Sequence, residues 1–182
     1  NHEVAQVVVT DPNSRPGLEP TLELAKANNL PLRVTGKAGL GQLTDIVEGQ
    51  VCLSVGFAFL FPKPLIETAE IFLNIHPAPL PKYAGARVLN WLIENGEDKG
   101  SINVHFVNEK IDRGPILHSV DYSISKFDTA QSLYAKVLVL EPQVLMEALD
   151  KIENGNFQAK PQKLETHQPL ENRNPGHGLL DP

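Results

Sequence analysis

Two polar residues, Asn74 and His76, close the apolar run from Ile71 to Ile75, directly before Pro77. Proline cannot donate to a sheet ladder, so the run predicts a short buried strand that ends at this point. Side chains alternate along a strand, which places the Asn74 amide and the His76 imidazole on the same face. Because ligands in open α/β sheets bind outside the carboxyl ends of the strands, we expect this pair to line a site.

A third candidate, Asp112, lies in the turn-rich segment from Asn108 to Pro115, between two further apolar runs. An amide can donate to an oxyanion, an imidazole can donate or move a proton, and a carboxylate can orient the imidazole. This set suits acyl transfer to an amine from an activated donor, with the protein aligning the two reactants. The structural alternative stays open, since polar residues at a strand end often only satisfy loop backbone.

Other kinds of chemistry find no matching pattern in the sequence. No serine or cysteine sits in a nucleophile elbow, and no cluster of histidines and carboxylates has metal spacing, so no metal site is predicted. A G-x-G-x-x-G sequence after a strand and a Walker A sequence are both missing. The single cysteine, Cys52, is interpreted as a small buried residue on a central strand. It can form no intrachain disulfide, which suits a reducing compartment.

Composition indicates a soluble globular protein: 41% of the 182 residues are hydrophobic and 21% are charged. The net charge is -6 and no basic block appears, which counts against nucleic acid as a main partner. No apolar run approaches membrane-spanning length, and no signal peptide opens the chain. These features predict a cytoplasmic protein that has no membrane partner.

Strand and helix patterns alternate along the first half of the chain, which indicates α/β architecture with a mainly parallel sheet and helices on both faces. The apolar run from Val51 to Phe59 is typical of a strand covered on both faces. We expect one domain at residues 1–155, followed by a polar tail at 156–182 that is partly extended or disordered. The predicted strands are 5–10, 32–34, 51–59, 71–75, 101–107 and 116–124, and the predicted helices are 19–29, 42–48, 65–69, 86–95 and 128–154.

Several side chains are interpreted from local pattern alone. His105 falls on the polar face of an alternating strand, so we expect a solvated surface residue, and we expect His118 to be structural. Asp128 is predicted to cap the last helix, with Gln131 completing a capping box. Pro142 should kink or break that helix.

Residues Asn74 to Gly85 resemble the N-x-H-P-S-L-L-P-x-[YF]-x-G signature of formyltransferases that use 10-formyltetrahydrofolate. Residues Asn108 to Ile116 are similar to the second signature of that family, D-E-G-[IVLM]-D-x-G-x-I, at the family's separation from the first. The resemblance runs from about Val7 to Gly155. It implies an open, mainly parallel Rossmann-like sheet, a folate co-substrate and a small-molecule amine acceptor.

Carried over residue by residue, the resemblance makes Asn74, His76 and Asp112 the catalytic residues. Asn74 and a protonated His76 would stabilise the tetrahedral oxyanion, while Asp112 would orient His76 and relay protons. The residues expected to bind the folate are Phe59, Leu60, Phe61, Asn108 and Ile111.

The chain departs from the family pattern at several positions. Ala78 and Pro79 replace a serine and a leucine, and Lys110 replaces a glycine, which would carry a cost if that backbone needs a positive φ. Val7 to Thr10 matches the family's second strand, so the first strand, its loop and the first helix have no counterpart.

The acceptor stays open at the level of sequence. An amino-sugar nucleotide is favoured, because Asn90-Trp91 resembles a helix of the sugar-nucleotide N-formyltransferases. The alternatives are methionyl-tRNA or glycinamide ribonucleotide formyltransferase, formyltetrahydrofolate hydrolase, and a non-catalytic folate-binding module. The sequence also leaves a homodimer open.

Overall fold

A computed structural model describes residues 3–11 and 17–163 of the chain. It divides the chain into two compact units, Asn1–Phe72 and Leu73–Pro182. The predicted boundary between residues 155 and 156 stays a prediction. Positions 12–16 of the first predicted loop, and the tail from residue 164, lie outside the described residues.

The first unit contains a parallel strand pair, β1 (Val7–Thr10) with β2 (Leu32–Thr35), in which Val7 stands opposite Leu32. Between these strands runs α1 (Glu19–Ala27), which carries Pro20 in its first turn as the sequence predicts. The remaining elements of this unit are a 3₁₀ helix (Lys37–Leu43), α2 (Thr44–Val47), β3 (Val51–Val55) and α3 (Lys63–Thr68). The 3₁₀ helix buries Leu40 and Leu43, and α3 buries Leu65.

Strand β3 corrects the prediction of a long strand covered on both faces. It ends at Val55, and Gly56 follows with a φ of 56°. The apolar side chains of Val51, Leu53 and Val55 are 42%, 40% and 58% exposed, while Ser54 on the opposite face is buried. Because side chains alternate along a strand, these three apolar residues lie on the solvent-exposed face of β3. Cys52 is half-buried, and burial raises the pKa of its thiol to about 11.

The second unit is built on three consecutive antiparallel strands. Strand β4 (Ile71–His76) pairs with β5 (Lys99–Phe106), and β5 pairs with β6 (Ile116–Ser123). Two helices complete the unit, α4 (Val88–Glu94) and α5 (Ala130–Glu153), and α5 packs on β5, β6 and α4. The buried face of α5 carries Leu133, Val137, Val144 and Ala148, at helical spacing.

The α/β architecture with open sheet segments is confirmed. Pairing is parallel between β1 and β2 and antiparallel from β4 through β6, so the described strands form a mixed set. Polar residues at the ends of β4 and β5 are thereby presented by neighbouring strands.

The start of α5 differs from the prediction. Thr129 is the N-cap, its Oγ1 accepting from the Ser132 amide at 3.1 Å while the Thr129 amide donates to Ser132 Oγ at 2.9 Å. Asp128 stands one residue earlier and accepts from Ser132 Oγ at 2.7 Å, so it supports the cap from outside. The helix continues through Pro142, because buried residues on both sides keep its inner face packed. A break at Pro142 is therefore wrong.

Candidate active site

Four polar side chains share one face of two neighbouring strands. Asn74 and His76 lie two residues apart on β4, and the register sets them opposite His105 and Asn103 of β5. Residues directly opposite in an antiparallel pair point to the same side of the sheet. The polar pair predicted from β4 therefore faces a second polar pair that comes from β5.

Asp112 comes to the same place from the turn between β5 and β6. Its Oδ2 lies 3.4 Å from His76 Nδ1, and its Oδ1 accepts from Asn74 Nδ2 at 3.4 Å. The Gly85 amide donates to Oδ2 at 2.8 Å. The structure thus brings together the three residues that the sequence selects, although they come from two separate segments.

The backbone around Asp112 is tightly constrained. Asp112 has a φ of 49°, a left-handed conformation that residues other than glycine seldom adopt and that aspartate tolerates better than most. A Cβ on Gly114 would lie 1.7 Å from the Phe106 carbonyl oxygen, so only glycine fits two residues later. Lys110 has no positive φ, which removes the cost expected there. Strain is stored at the catalytic candidate itself.

His76 is held from its other side by the proline-rich loop. Its Nε2 lies 2.6 Å from the Tyr83 carbonyl oxygen. A carbonyl only accepts, so Nε2 carries the proton of the neutral ring and donates it. The Tyr83 hydroxyl in turn donates to Glu97 at 2.6 Å and accepts from Asn95 at 3.0 Å. These bonds fix the imidazole and turn its Nδ1 towards Asp112.

Burial sets the charge of His76. Removal from water lowers the pKa of the imidazole; the Asp112 carboxylate and the Tyr83 carbonyl raise it in part, and the neighbouring His105 lowers it again. The net pKa lies below the ordinary value of 6.5. A lowered pKa favours the neutral imidazole at pH 7. The protonated His76 that the family resemblance implies during the reaction stays a prediction.

Asp112 keeps its charge despite burial. Burial raises the pKa of its carboxyl, but the neighbouring imidazoles of His105 and His76 and the hydrogen bond from the Gly85 amide together lower it by more. The net pKa lies below the ordinary value of 3.8, so the carboxylate is ionised at neutral pH. An ionised carboxylate beside a neutral imidazole is a pair that can take up one proton.

His105 is the residue that the sequence interpretation misplaced. It is 2% exposed instead of solvated, and its strand β5 pairs with β4 on one edge and with β6 on the other. Its Nδ1 donates to the Phe106 carbonyl at 2.9 Å, and its Nε2 lies 3.2 Å from Asn74 Nδ2 and 3.4 Å from Asp112 Oδ1. One signal could have found it: Asn103 and His105 repeat the Asn-x-His spacing of β4 on the next strand.

Two of the predicted folate contacts lie in the turn that carries Asp112. Asn108 Oδ1 accepts from the Lys110 amide at 2.9 Å, which shapes the turn. The Ile111 side chain is 38% exposed next to Asp112. The exposed apolar side chain of Ile111 thus lies next to Asp112 in the chain.

The other predicted folate contacts belong to the first unit. Phe61 stacks on Phe57 with ring centroids 5.0 Å apart, and Phe59 meets the same ring edge-on at 6.2 Å. Leu60 between them is 61% exposed. The aromatic residues therefore form a small cluster of their own and leave Leu60 as the accessible apolar side chain.

Among residues 3–11 and 17–163, no group of three or more histidine, cysteine, aspartate or glutamate side chains is arranged to hold a metal ion. No helix in the same ranges is both long enough and apolar enough to cross a bilayer.

The fold and the site define an α/β protein in which the half-buried Asn74 amide and Asp112 carboxylate lie next to the buried imidazole of His76. The sequence profile of the formyl transferase family matches residues 6–149. The chain belongs to this family.

Known proteins of several kinds are similar to the chain. A methionyl-tRNA formyltransferase of Clostridioides difficile is 30% identical over 178 residues, which cover 92% of this chain and 56% of that protein. A phosphoribosylglycinamide formyltransferase structure from Bacillus halodurans has a TM-score of 0.69 at 26% identity, covering 86% of each chain. WlaRD, a sugar 3N-formyl transferase solved in the presence of dTDP and 5-N-formyl-THF, has a TM-score of 0.70 at 24% identity, over 86% of this chain and 56% of its own. The chain spans about half the length of the curated relatives it matches.

Proposed function

We propose that this protein transfers a formyl group from 10-formyltetrahydrofolate to a primary amine, and that the amine belongs to an amino-sugar nucleotide. The observation that carries the proposal is the convergence of Asn74, His76 and Asp112, whose side chains approach one another to 3.4 Å. Membership of the formyl transferase family supports the same reaction.

The charge states suggest how the residues divide the work. The amine nitrogen forms a bond to the formyl carbon, and the bond from that carbon to the folate nitrogen breaks. Ionised Asp112 with neutral His76 takes the proton that the attacking amine releases and returns a proton to the folate nitrogen as it leaves. Asn74 donates to the oxygen on which negative charge develops, and one such donor is worth about 3 kcal/mol of barrier.

Asn74 is suited to this role by the length of its present hydrogen bonds. Its amide nitrogen lies 3.2 Å from His105 and 3.4 Å from Asp112, both longer than the usual 2.9–3.0 Å. One of these bonds can be exchanged for a bond to the substrate oxygen at modest cost. The His105 and Asp112 side chains would then hold the remaining N–H in place.

The residues proposed to bind the folate are apolar except for Asn108. Leu60 and Ile111 present exposed side chains, and Phe59 and Phe61 stand beside Leu60 in sequence. Asn108 would act through the turn that it shapes. The folate supplies the activated formyl group, and the protein supplies alignment and proton transfer.

Charge favours a small acceptor over tRNA. The net charge of -6 without a basic block offers little to neutralise a phosphate backbone. A structural relative with a TM-score of 0.70 is a sugar 3N-formyl transferase. Methionyl-tRNA is the second candidate acceptor, because the relative that aligns with 92% of this chain is a methionyl-tRNA formyltransferase.

The test is a panel of acceptors assayed with 10-formyltetrahydrofolate. The protein is incubated in turn with amino-sugar nucleotides, glycinamide ribonucleotide, charged initiator tRNA and buffer alone, and release of tetrahydrofolate is measured. The matched control is the N-acetylated sugar nucleotide, which keeps the sugar and the phosphates but has no free amine.

We expect turnover with an amino-sugar nucleotide and none with its N-acetylated control. Turnover only with charged tRNA or glycinamide ribonucleotide would move the assignment to that acceptor. Consumption in buffer alone would indicate a hydrolase. Tight folate binding without turnover, unchanged in His76→Ala, would indicate a non-catalytic folate-binding module.

A further inference from the structure

The segment that follows α5 returns to the catalytic turn. Lys160 pairs with Ile116 as an isolated antiparallel bridge, in which each amide donates to the other carbonyl at 2.8 Å. Ile116 is the first residue of β6 and stands four residues after Asp112. The bridge therefore sets the position of Gln162, two residues further along the segment.

Gln162 uses its side chain to hold the backbone of that turn. Its Nε2 donates to the carbonyl oxygen of Asp112 at 2.9 Å and to that of Gly114 at 2.7 Å. Both partners are carbonyls and can only accept, so the orientation of the Gln162 amide is fixed by its neighbours. Its Oε1 is buried and has no hydrogen-bond partner within residues 3–11 and 17–163. The contact of this side chain with the turn is therefore made by its Nε2 donor.

These two bonds hold the turn where its geometry matters most. Asp112 occupies a left-handed conformation at φ 49°, and Gly114 is pressed against the Phe106 carbonyl. The Asp112 carboxylate must meet the Gly85 amide at 2.8 Å and His76 Nδ1 at 3.4 Å. A small rotation of the turn would carry the carboxylate away from both partners.

We propose that Gln162 is a positioning residue, which clamps the 112–114 turn so that the Asp112 carboxylate faces His76 and the Gly85 amide. The consequence for turnover rests on the proposed function of Asp112, whereas the clamp itself rests on the contacts alone. Gln162 lies outside both signature segments, and the sequence around it predicts only a polar tail.

The sharpest test compares two replacements of similar size in the intact protein. Gln162→Met keeps the volume but removes both donors, whereas Gln162→Lys keeps donors that can reach the two carbonyls. The matched control is Gln143→Met, which removes an exposed α5 glutamine whose Nε2 donates to Glu147 at 2.9 Å. Circular dichroism establishes that all three variants are folded.

The first readout is hydrogen exchange at the Gly85 amide, which donates to Asp112. This measurement needs no substrate. We expect Gln162→Met to speed exchange at Gly85 about 10-fold, because the carboxylate that protects this amide becomes loosely held. Gln162→Lys should exchange within about 3-fold of wild type, and Gln143→Met should match wild type. Equal Gly85 exchange in Gln162→Met and in wild type would overturn the clamp.

The second readout is turnover with the acceptor that the panel identifies. We expect Gln162→Met to lower kcat by about 10- to 100-fold with little change in the KM for folate. The reason is that displacing a catalytic group by about 1 Å can lower the rate by about 100-fold. The acidic limb of the kcat profile should move to higher pH, because the Asp112 carboxyl loses contacts that lower its pKa. In an Asp112→Asn background the same substitution should have almost no further effect.

The two readouts distinguish a failure of the proposed role of Gln162 from a failure of the proposed function. A rise in KM alone, or a full additional loss in the Asp112→Asn background, would overturn a role through Asp112. If wild-type protein formylates no amine, the proposed function fails, while Gly85 exchange still decides the clamp.

Discussion

The strands of the two units differ in which of their side chains are buried. In the second unit, β5 carries Asn103 and His105 with only 2% of each exposed, next to the apolar residues Ile102 and Val104 that are fully buried. In the first unit, β3 is rich in apolar residues, yet three of its five side chains are at least 40% exposed. Polarity thus lies inside where chemistry is proposed, and apolar surface lies outside where the sequence alone predicts a core strand.

The difference teaches what makes buried polarity tolerable. Buried polar groups cost free energy unless they are hydrogen-bonded, and the side chains of Asn103 and Asp112 in the second unit are hydrogen-bonded. Asn103 donates to the Ala78 carbonyl at 2.7 Å and to Ser101 at 3.0 Å, and Asp112 accepts from Gly85. The network anchors the proline-rich loop as well as the site, so stability and proposed function share the same bonds.

The largest effect is expected from removing the negative charge of Asp112 in the second unit. Asp112→Asn keeps the side-chain shape, and asparagine tolerates the left-handed backbone at φ 49°. We expect kcat for formyl transfer to fall about 10²- to 10⁴-fold, because the pair with His76 can no longer take up a proton. Steady-state turnover at saturating folate measures the change.

Asp121→Asn is the control, because it removes one charge from an exposed position of β6. It should keep wild-type kcat. Equal losses in the two variants would show that net charge, and not the Asp112 contact with His76, governs the rate.

A smaller effect is expected from glycines that differ between the units. A Cβ on Gly114 would meet the Phe106 carbonyl oxygen at 1.7 Å, whereas a Cβ on Gly41 in the 3₁₀ helix of the first unit has nothing within 4 Å. Gly114→Ala should lower the free energy of unfolding by about 1–3 kcal/mol through overpacking. Gly41→Ala should change it by less than about 0.5 kcal/mol.

Urea denaturation of the two alanine variants beside wild type makes this measurement. Equal stability of Gly114→Ala and Gly41→Ala would contradict the tight turn and weaken the contrast between the units.

The smallest effect is a dependence of stability on pH. Burial holds the folded pKa of His76 below its unfolded value of about 6.5, so in the window below 6.5 the unfolded chain binds a proton that the folded protein does not. Stability should therefore fall as the pH drops from 7.5 to 5.5. Asp112, whose pKa is also lowered, contributes its loss only below about pH 4.

Thermal melting at pH 7.5 and 5.5, with His76→Gln as the comparison, tests this sign. The decrease in Tm on acidification should be smaller in the variant than in wild type. A wild-type protein that gains stability at pH 5.5 would mean that His76 is charged in the folded state.

The proximity of Asn74, His76 and Asp112 can be predicted from the sequence because the signals for it are local. Pro77 marks the end of β4, and alternation puts Asn74 and His76 on one face, as the structure has them. The turn that carries Asp112 is bounded by two apolar runs that become β5 and β6. Short-range patterns of this kind depend on few neighbours.

The misplaced features depend on contacts that are distant in the chain. His105 falls on the polar face of a strand with an amphipathic pattern, and its burial follows from the pairing of that strand with both β4 and β6. Gln162 acquires its two acceptors because Lys160 bridges to Ile116. Val51, Leu53 and Val55 lie in an apolar run, but the local pattern cannot show whether other elements pack on their side chains, and in the structure these side chains are exposed. Tertiary neighbours decided each of these cases.

The central claim is that His76 serves chemistry and not binding, and His76→Ala measured for both properties tests it most directly. We predict that formyl transfer falls at least about 100-fold while the Kd for tetrahydrofolate stays within about 3-fold of wild type. Wild-type turnover in this variant, or a loss of folate affinity that matches the loss of rate, would contradict the account.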